Sequence, residues 1–144
     1  MVNARVEIKG TKETAQALNR LAFSFDEAMK RVVEKGTILV ANEAKQGFNP
    51  PDKLPARLPR PTQRTGNLRN SINTTKARAT GAGRFSASVG PTVVHGRRVE
   101  LGYSGGAGPG HQMTRKFPYL APGFNRAKPK LEALYRRELE EVLR

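Results

Sequence analysis

Five prolines, Pro50, Pro51, Pro55, Pro59 and Pro61, fall between residues 50 and 61 of this chain. Each ring removes an amide donor and fixes φ, so neither a helix interior nor a central strand passes through such a stretch. The segment therefore divides the chain into a part that reads as helix and a part that reads as strand. Between them, residues 49–64 form an extended arm carrying Lys53, Arg57, Arg60 and Arg64. A chain of 144 residues suits one domain with a modest core. The arm is then an insertion in that domain, as is a glycine-rich loop over residues 104–116.

Before the arm, Val2, Ala4, Val6 and Ile8 alternate with Asn3, Arg5, Glu7 and Lys9, the period of a half-buried strand. Gly10 ends it, and Thr11 is placed to cap a following helix. Leu18, Leu21, Phe25, Met29 and Val32 then recur at helical spacing, the stripe of an amphipathic helix. Ser24 and Glu27 have capping-box spacing, which predicts a break near Phe23-Ser24 and a second, long helix from about Phe25 to Gln46. Gly36 and the alanines that follow would let another backbone come close to that helix. After the arm, Thr65 is a candidate N-cap for one helical turn over residues 66–70. Short strands are expected over residues 71–78, 85–89, 93–95 and 99–103, with turn residues between them, which favours an antiparallel meander. A last helix is expected from about Asn125 to Leu143, with Ala127, Leu131, Leu134, Leu139 and Val142 as its stripe and Pro129 in or near its first turn. Leu120 and Phe124 would anchor that helix to the core.

Chemistry is sparse. With no cysteine, disulfides and thiolate metal sites are excluded. His95 lies in an expected strand and His111 in the glycine loop, neither at a metal-ligand spacing. No Gly-Lys-Ser/Thr follows the glycines near residue 105, so they are not a phosphate loop. No catalytic constellation, metal site or cofactor site is expected. There is no apolar run of membrane-spanning length and no signal-peptide core at the N-terminus.

The formal charge of +14 calls for an acidic partner, a nucleic acid or an acidic protein surface. The excess is uneven: between Asp52 and Glu100 there is no carboxylate, while Arg57, Arg60, Arg64, Arg69, Arg97 and Arg98 are among the cations. Nothing in the stretch matches a base-reading motif, so any nucleic-acid contact would be to the backbone. Glu100 is isolated there and reads either as an edge-strand charge or as an intersubunit salt-bridge partner.

The order of several short motifs resembles a known family. Ile8-Lys9-Gly10 precedes the helical region. Thr65-Gly66-x-Leu68-Arg69-x-Ser71-Ile72 follows the arm, then Val99-Glu100-Leu101-Gly102, then Pro118-Tyr119-Leu120-x-Pro122 before the last helix. In this order the chain resembles the neck or tail-completion proteins of long-tailed double-stranded DNA bacteriophages. Its arm and its glycine-rich loop are longer than the family pattern. The resemblance implies a small α+β domain, an antiparallel sheet packed against the long helix with the C-terminal helix alongside. It also implies a non-enzymatic virion protein at the head–tail junction, in a homo-oligomeric ring, hexameric or dodecameric, around the DNA channel. The implied partners are head connector or adaptor proteins, tail terminator or tail tube proteins and the packaged DNA, with no membrane. The bottom-up alternative is a free, sequence-independent nucleic-acid-binding protein.

Overall fold

A computed structural model describes residues 10–48, 66–102 and 116–144. The expected N-terminal strand, the proline arm with Thr65, and most of the glycine-rich loop with His111 lie outside the described residues.

The chain is built on one helix, α1 (Thr11–Gln46). At ~1.5 Å per residue it is about 54 Å long. Gly10 caps it in the left-handed region (φ 86°), and Thr14 donates to the Gly10 carbonyl through both its amide (3.0 Å) and its hydroxyl (2.8 Å). The break expected near Phe23-Ser24 is absent. The Ser24 hydroxyl donates to the Arg20 carbonyl at 3.0 Å, one turn back, and so serves the continuing helix instead of capping a new one.

The second long helix, α4 (Leu120–Val142), runs antiparallel to α1. The direction follows from the ion pairs: Glu138 of α4 meets Arg31 and Lys35, while Glu43 of α1 meets Arg126 and Lys130. The helix begins five residues before the expected Asn125, so Pro129 sits in its interior. Pro129 and Asn125, the residue whose carbonyl the missing amide would have met, are both exposed. The expected stripe is the packing face: Ala127 and Leu134 are buried, and Leu131, Leu139 and Val142 are half-buried.

Between the helices, the chain makes one helical turn, α2 (Asn67–Asn70), then β1 (Ile72–Thr74), β2 (Arg78–Gly81), β3 (Arg84–Ser86) and β4 (Val89–Pro91). The strands form a nested antiparallel hairpin. β2 pairs with β3 at its tip, with a bulge between Ala79 and Gly81, and β1 pairs with β4 at its base through Ile72–Pro91 and Thr74–Val89. Thr75 and Ser88 join the two ladders, the Thr75 amide donating to the Ser88 carbonyl (2.9 Å) and the Ser88 amide to the Thr75 hydroxyl (2.8 Å). This small sheet packs on α1, an α+β arrangement as expected.

Two expected strands are not strands. Residues 93–95 form a turn, and Gly96–Leu101 is a short helix, α3. The cause is at Gly96, which lies so close to Pro91 that a Cβ there would sit 2.3 Å from its ring. With the Gly96 amide bonded to the Val93 carbonyl and the Val99 amide to the His95 carbonyl, the backbone coils, and a short alternation of apolar residues does not outweigh it. The core is Ala41, Ala44, Ile72 and Tyr119, ringed by Phe48, Leu68, Val89, Val99 and Leu120.

Candidate interaction surfaces

The motif residues converge on one joint. Gly66 takes a left-handed conformation (φ 75°) at the start of α2. Leu68 packs against the core, and Ser71 closes the turn by donating from its hydroxyl to the Leu68 carbonyl at 2.8 Å. Ile72 is fully buried. Gly102 ends α3 at φ 78°, ψ 169°, a region open essentially to glycine alone.

Glu100 is not an edge-strand charge. It lies on α3 and reaches the N-terminus of α4. One carboxylate oxygen accepts from the amides of Tyr119 (2.7 Å) and Leu120 (3.0 Å), and the other from the amide of Ala121 (3.0 Å). The next residue, Pro122, has no amide to satisfy, and the Gly123 amide already bonds the Tyr119 carbonyl at 3.1 Å. Every donor at this helix start is therefore accounted for, and the carboxylate sits at the positive end of the helix dipole. Pro118, Leu120 and Pro122 are half-buried around this cap. Tyr119 is buried, packs against Phe48 with ring centroids 5.1 Å apart and the planes tilted by 50°, and donates from its hydroxyl to the Gly96 carbonyl at 3.2 Å. Burial, with the nearby Glu100 charge adding to it, pushes its phenol up to about 12. The motif residues within the described chain thus build the domain from inside.

The basic candidates separate. Arg57, Arg60 and Arg64 lie outside the described residues. Arg69 is half-buried and donates from Nε to the Lys45 carbonyl at 3.1 Å, closing the end of α1. Arg97 and Arg98 are exposed on α3, and Lys76, Arg78 and Arg84 are exposed on the hairpin. Across the helix pair, Lys130 and then Arg126 hold the Glu43 carboxyl below its usual value, and Lys35 and then Arg31 do the same for Glu138. Both shifts come from hydrogen-bonded cations that outweigh the effect of burial.

Two apolar surfaces were not foreseen. Every residue of α1 from Thr11 to Ser24 is exposed. α4 ends alongside Phe23 and Glu27, so the first ~20 Å of α1 projects beyond the other described elements. It carries Leu18, Leu21 and Phe23 at 61%, 39% and 69% exposure. The second surface is a cleft of about 680 Å³ between the helix pair and the sheet, lined by Val33, Val40, Val89, Leu131, Phe124 and Tyr135. The signal for the overhang was present: an apolar stripe over some 30 residues of α1 faces a last helix too short to cover it. The cleft depends on the angle between helices and sheet, which periodicity does not give.

Among the described residues no group of three His, Cys, Asp or Glu is placed to hold a metal ion, and no helix is long and apolar enough to cross a membrane. The chain matches the family model described as "Bacteriophage HK97-gp10, putative tail-component" over residues 5–102, more than half its length. Comparison with curated proteins and with solved structures gives no match. The match spans the motif order from Ile8 through Gly102 and stops just past the residue that caps α4. On that match, the chain belongs to the HK97-gp10-like family of bacteriophage tail components.

Proposed function

We propose that this protein is a non-enzymatic structural component of the phage head–tail junction, assembled as a ring of identical copies around the DNA channel. Membership of a tail-component family supports a virion role. The observation that carries the ring is the pair of unlike apolar surfaces on one subunit, the α1 overhang and the cleft. A ring needs a heterologous interface, built from two different patches on each copy. Head connector or adaptor proteins would lie on one side of the ring and tail terminator or tail tube proteins on the other. Arg57, Arg60 and Arg64 are the proposed contacts to those partners or to DNA, with Arg97 and Arg98. Arg69 is the weakest of the proposed contacts, because its guanidinium is engaged at the end of α1. The test is light scattering and negative-stain imaging of the purified chain, alone and with connector and tail proteins. Closed rings of six or twelve copies, or a joint bridging the two components, are expected; a chain that stays monomeric and joins nothing refutes the reading.

A second reading, sequence-independent nucleic-acid binding, is favoured by exposed Lys76, Arg78, Arg84 and Arg97 in a stretch without a carboxylate before Glu100. Its test is a salt titration of duplex DNA binding, where log K falls with log salt at about −0.9 per phosphate neutralised. Absence of binding at low salt removes it.

A further inference from the structure

We infer that the overhang of α1 in one copy seats in the cleft of a second copy. The inference rests on the ring reading and names its interface. Three observations select the occupant. First, the overhang stripe continues an interface that already exists. At 100° per residue, Leu18, Ala22 and Phe25 fall on the same face of α1 as Gly36 and Val40, the face that packs on α4 further along. Beyond the end of α4 that face has no cover among the described residues. Second, its own cleft is out of reach. Val33 and Val40, which line the cleft, lie on the same unbroken helix as Leu18 and Leu21. A straight helix cannot fold back to lay its first turns against its own middle. Third, the two surfaces match in character. The cleft is lined mainly by apolar residues, and the overhang presents Leu18 and Leu21 on one face. Since the overhang and the cleft are different patches, each copy can give one and receive one, and the contact propagates from subunit to subunit.

The chain has no native cysteine, which makes crosslinking clean. The test joins Leu21→Cys with Phe124→Cys or with Tyr135→Cys in the full chain, under mild oxidation. A ladder of disulfide-linked species beyond the dimer is expected from at least one of these pairs. The single variants should give far less product. A strong dimer from Leu21→Cys alone means that overhangs pair with each other. A monomeric chain whose Leu21→Cys resists alkylation means that the chain covers its own overhang. Either result overturns the inference. A second variant, Leu18→Glu with Leu21→Glu, changes only exposed positions, so helix content by circular dichroism should be unchanged while the oligomer falls to monomer. If the wild type forms rings and this variant forms the same rings, the inference fails and the ring reading stands. If the wild type is monomeric throughout, both fail.

Discussion

The two long helices approach within backbone contact at Gly123. A Cβ built there would lie 2.8 Å from the Ala44 backbone nitrogen and Cα and 3.0 Å from its side chain. Gly123→Ala therefore sets two effects against each other. Alanine in a helix is favoured over glycine by about 1 kcal/mol. Against that, backbone atoms of α1 cannot rotate away as a side chain does, so the helices must separate. Separation loosens the packing around Ala44 and Ala127, both fully buried. Overpacking of this kind costs about 3 kcal/mol at the upper end of its usual range, leaving a net loss of about 2 kcal/mol. For a chain this size that is roughly 6 °C in Tm. Gly36→Ala is the internal control. Its added Cβ meets only the tip of Leu131, at 3.0 Å, and that tip can turn into the cleft. The gain in helix propensity should then nearly cancel the repacking, keeping the change within about 0.5 kcal/mol. Urea titration followed by circular dichroism at 222 nm separates the two variants. A Gly123→Ala protein as stable as the wild type would refute the backbone contact and the helix spacing built on it.

Other outcomes follow from the joint and the ion pairs. Tyr119→Phe leaves the Gly96 carbonyl without its 3.2 Å donor and should lower stability by about 1–2 kcal/mol by urea titration. Glu100→Ala uncaps three amides at once. It should cost about 2 kcal/mol and speed hydrogen exchange in the first turn of α4 before the rest of the helix. The acid limb of stability is set in part by Glu43 and Glu138, whose folded values lie below 4.5. A depressed carboxyl adds stability that is complete above its unfolded value and is lost as pH falls from about 4.5 through the folded value, so Glu43→Gln with Glu138→Gln should flatten Tm against pH in that window. At the alkaline end, Tyr119 keeps its proton to about 12 when folded against an ordinary value of 10.0. Stability should fall as pH rises between those values, and Tyr119→Phe should remove that slope.

The long helix and the hairpin are legible in the sequence because period is a local property: the stripe through Met29 and Val32 and the alternation through Phe85 are written along the chain. The misreadings occur where a residue acts through something distant. Pro122 and Gly123 read as breakers, and the sequence places the start of α4 after them. In the fold, Pro122 occupies the one early position where no amide is wanted, and Gly123 is required by the backbone of Ala44 from the other helix. Gly96 similarly reads as a bulge or a turn, and its place in the fold is set by Pro91. Glu100 is singled out for its isolation, but its function depends on the beginning of α4, nineteen to twenty-one residues later. Ser24 shows the reverse error, where a local signal for a cap is answered by an equally local bond to Arg20.

The family match ends at residue 102, yet the domain does not. The face of α1 at Gly36, Val40 and Ala44 is covered by α4, and both buried carboxylates, Glu43 and Glu138, have their hydrogen-bonded cations on the opposite helix. Without α4, Glu43 would keep its place on α1 and lose Arg126 and Lys130 together. Glu100, inside the matched segment, accepts from the three amides that begin α4. The matched segment thus carries the clamp for a helix beyond its own limit. That coupling explains why α1 can be longer than its partner: α4 fixes and covers the second half of α1, and the first half continues the same helix without cover among the described residues. A projecting helix loses little conformational freedom when it docks, because its backbone is already ordered, and in the proposed ring that would be a direct gain in affinity.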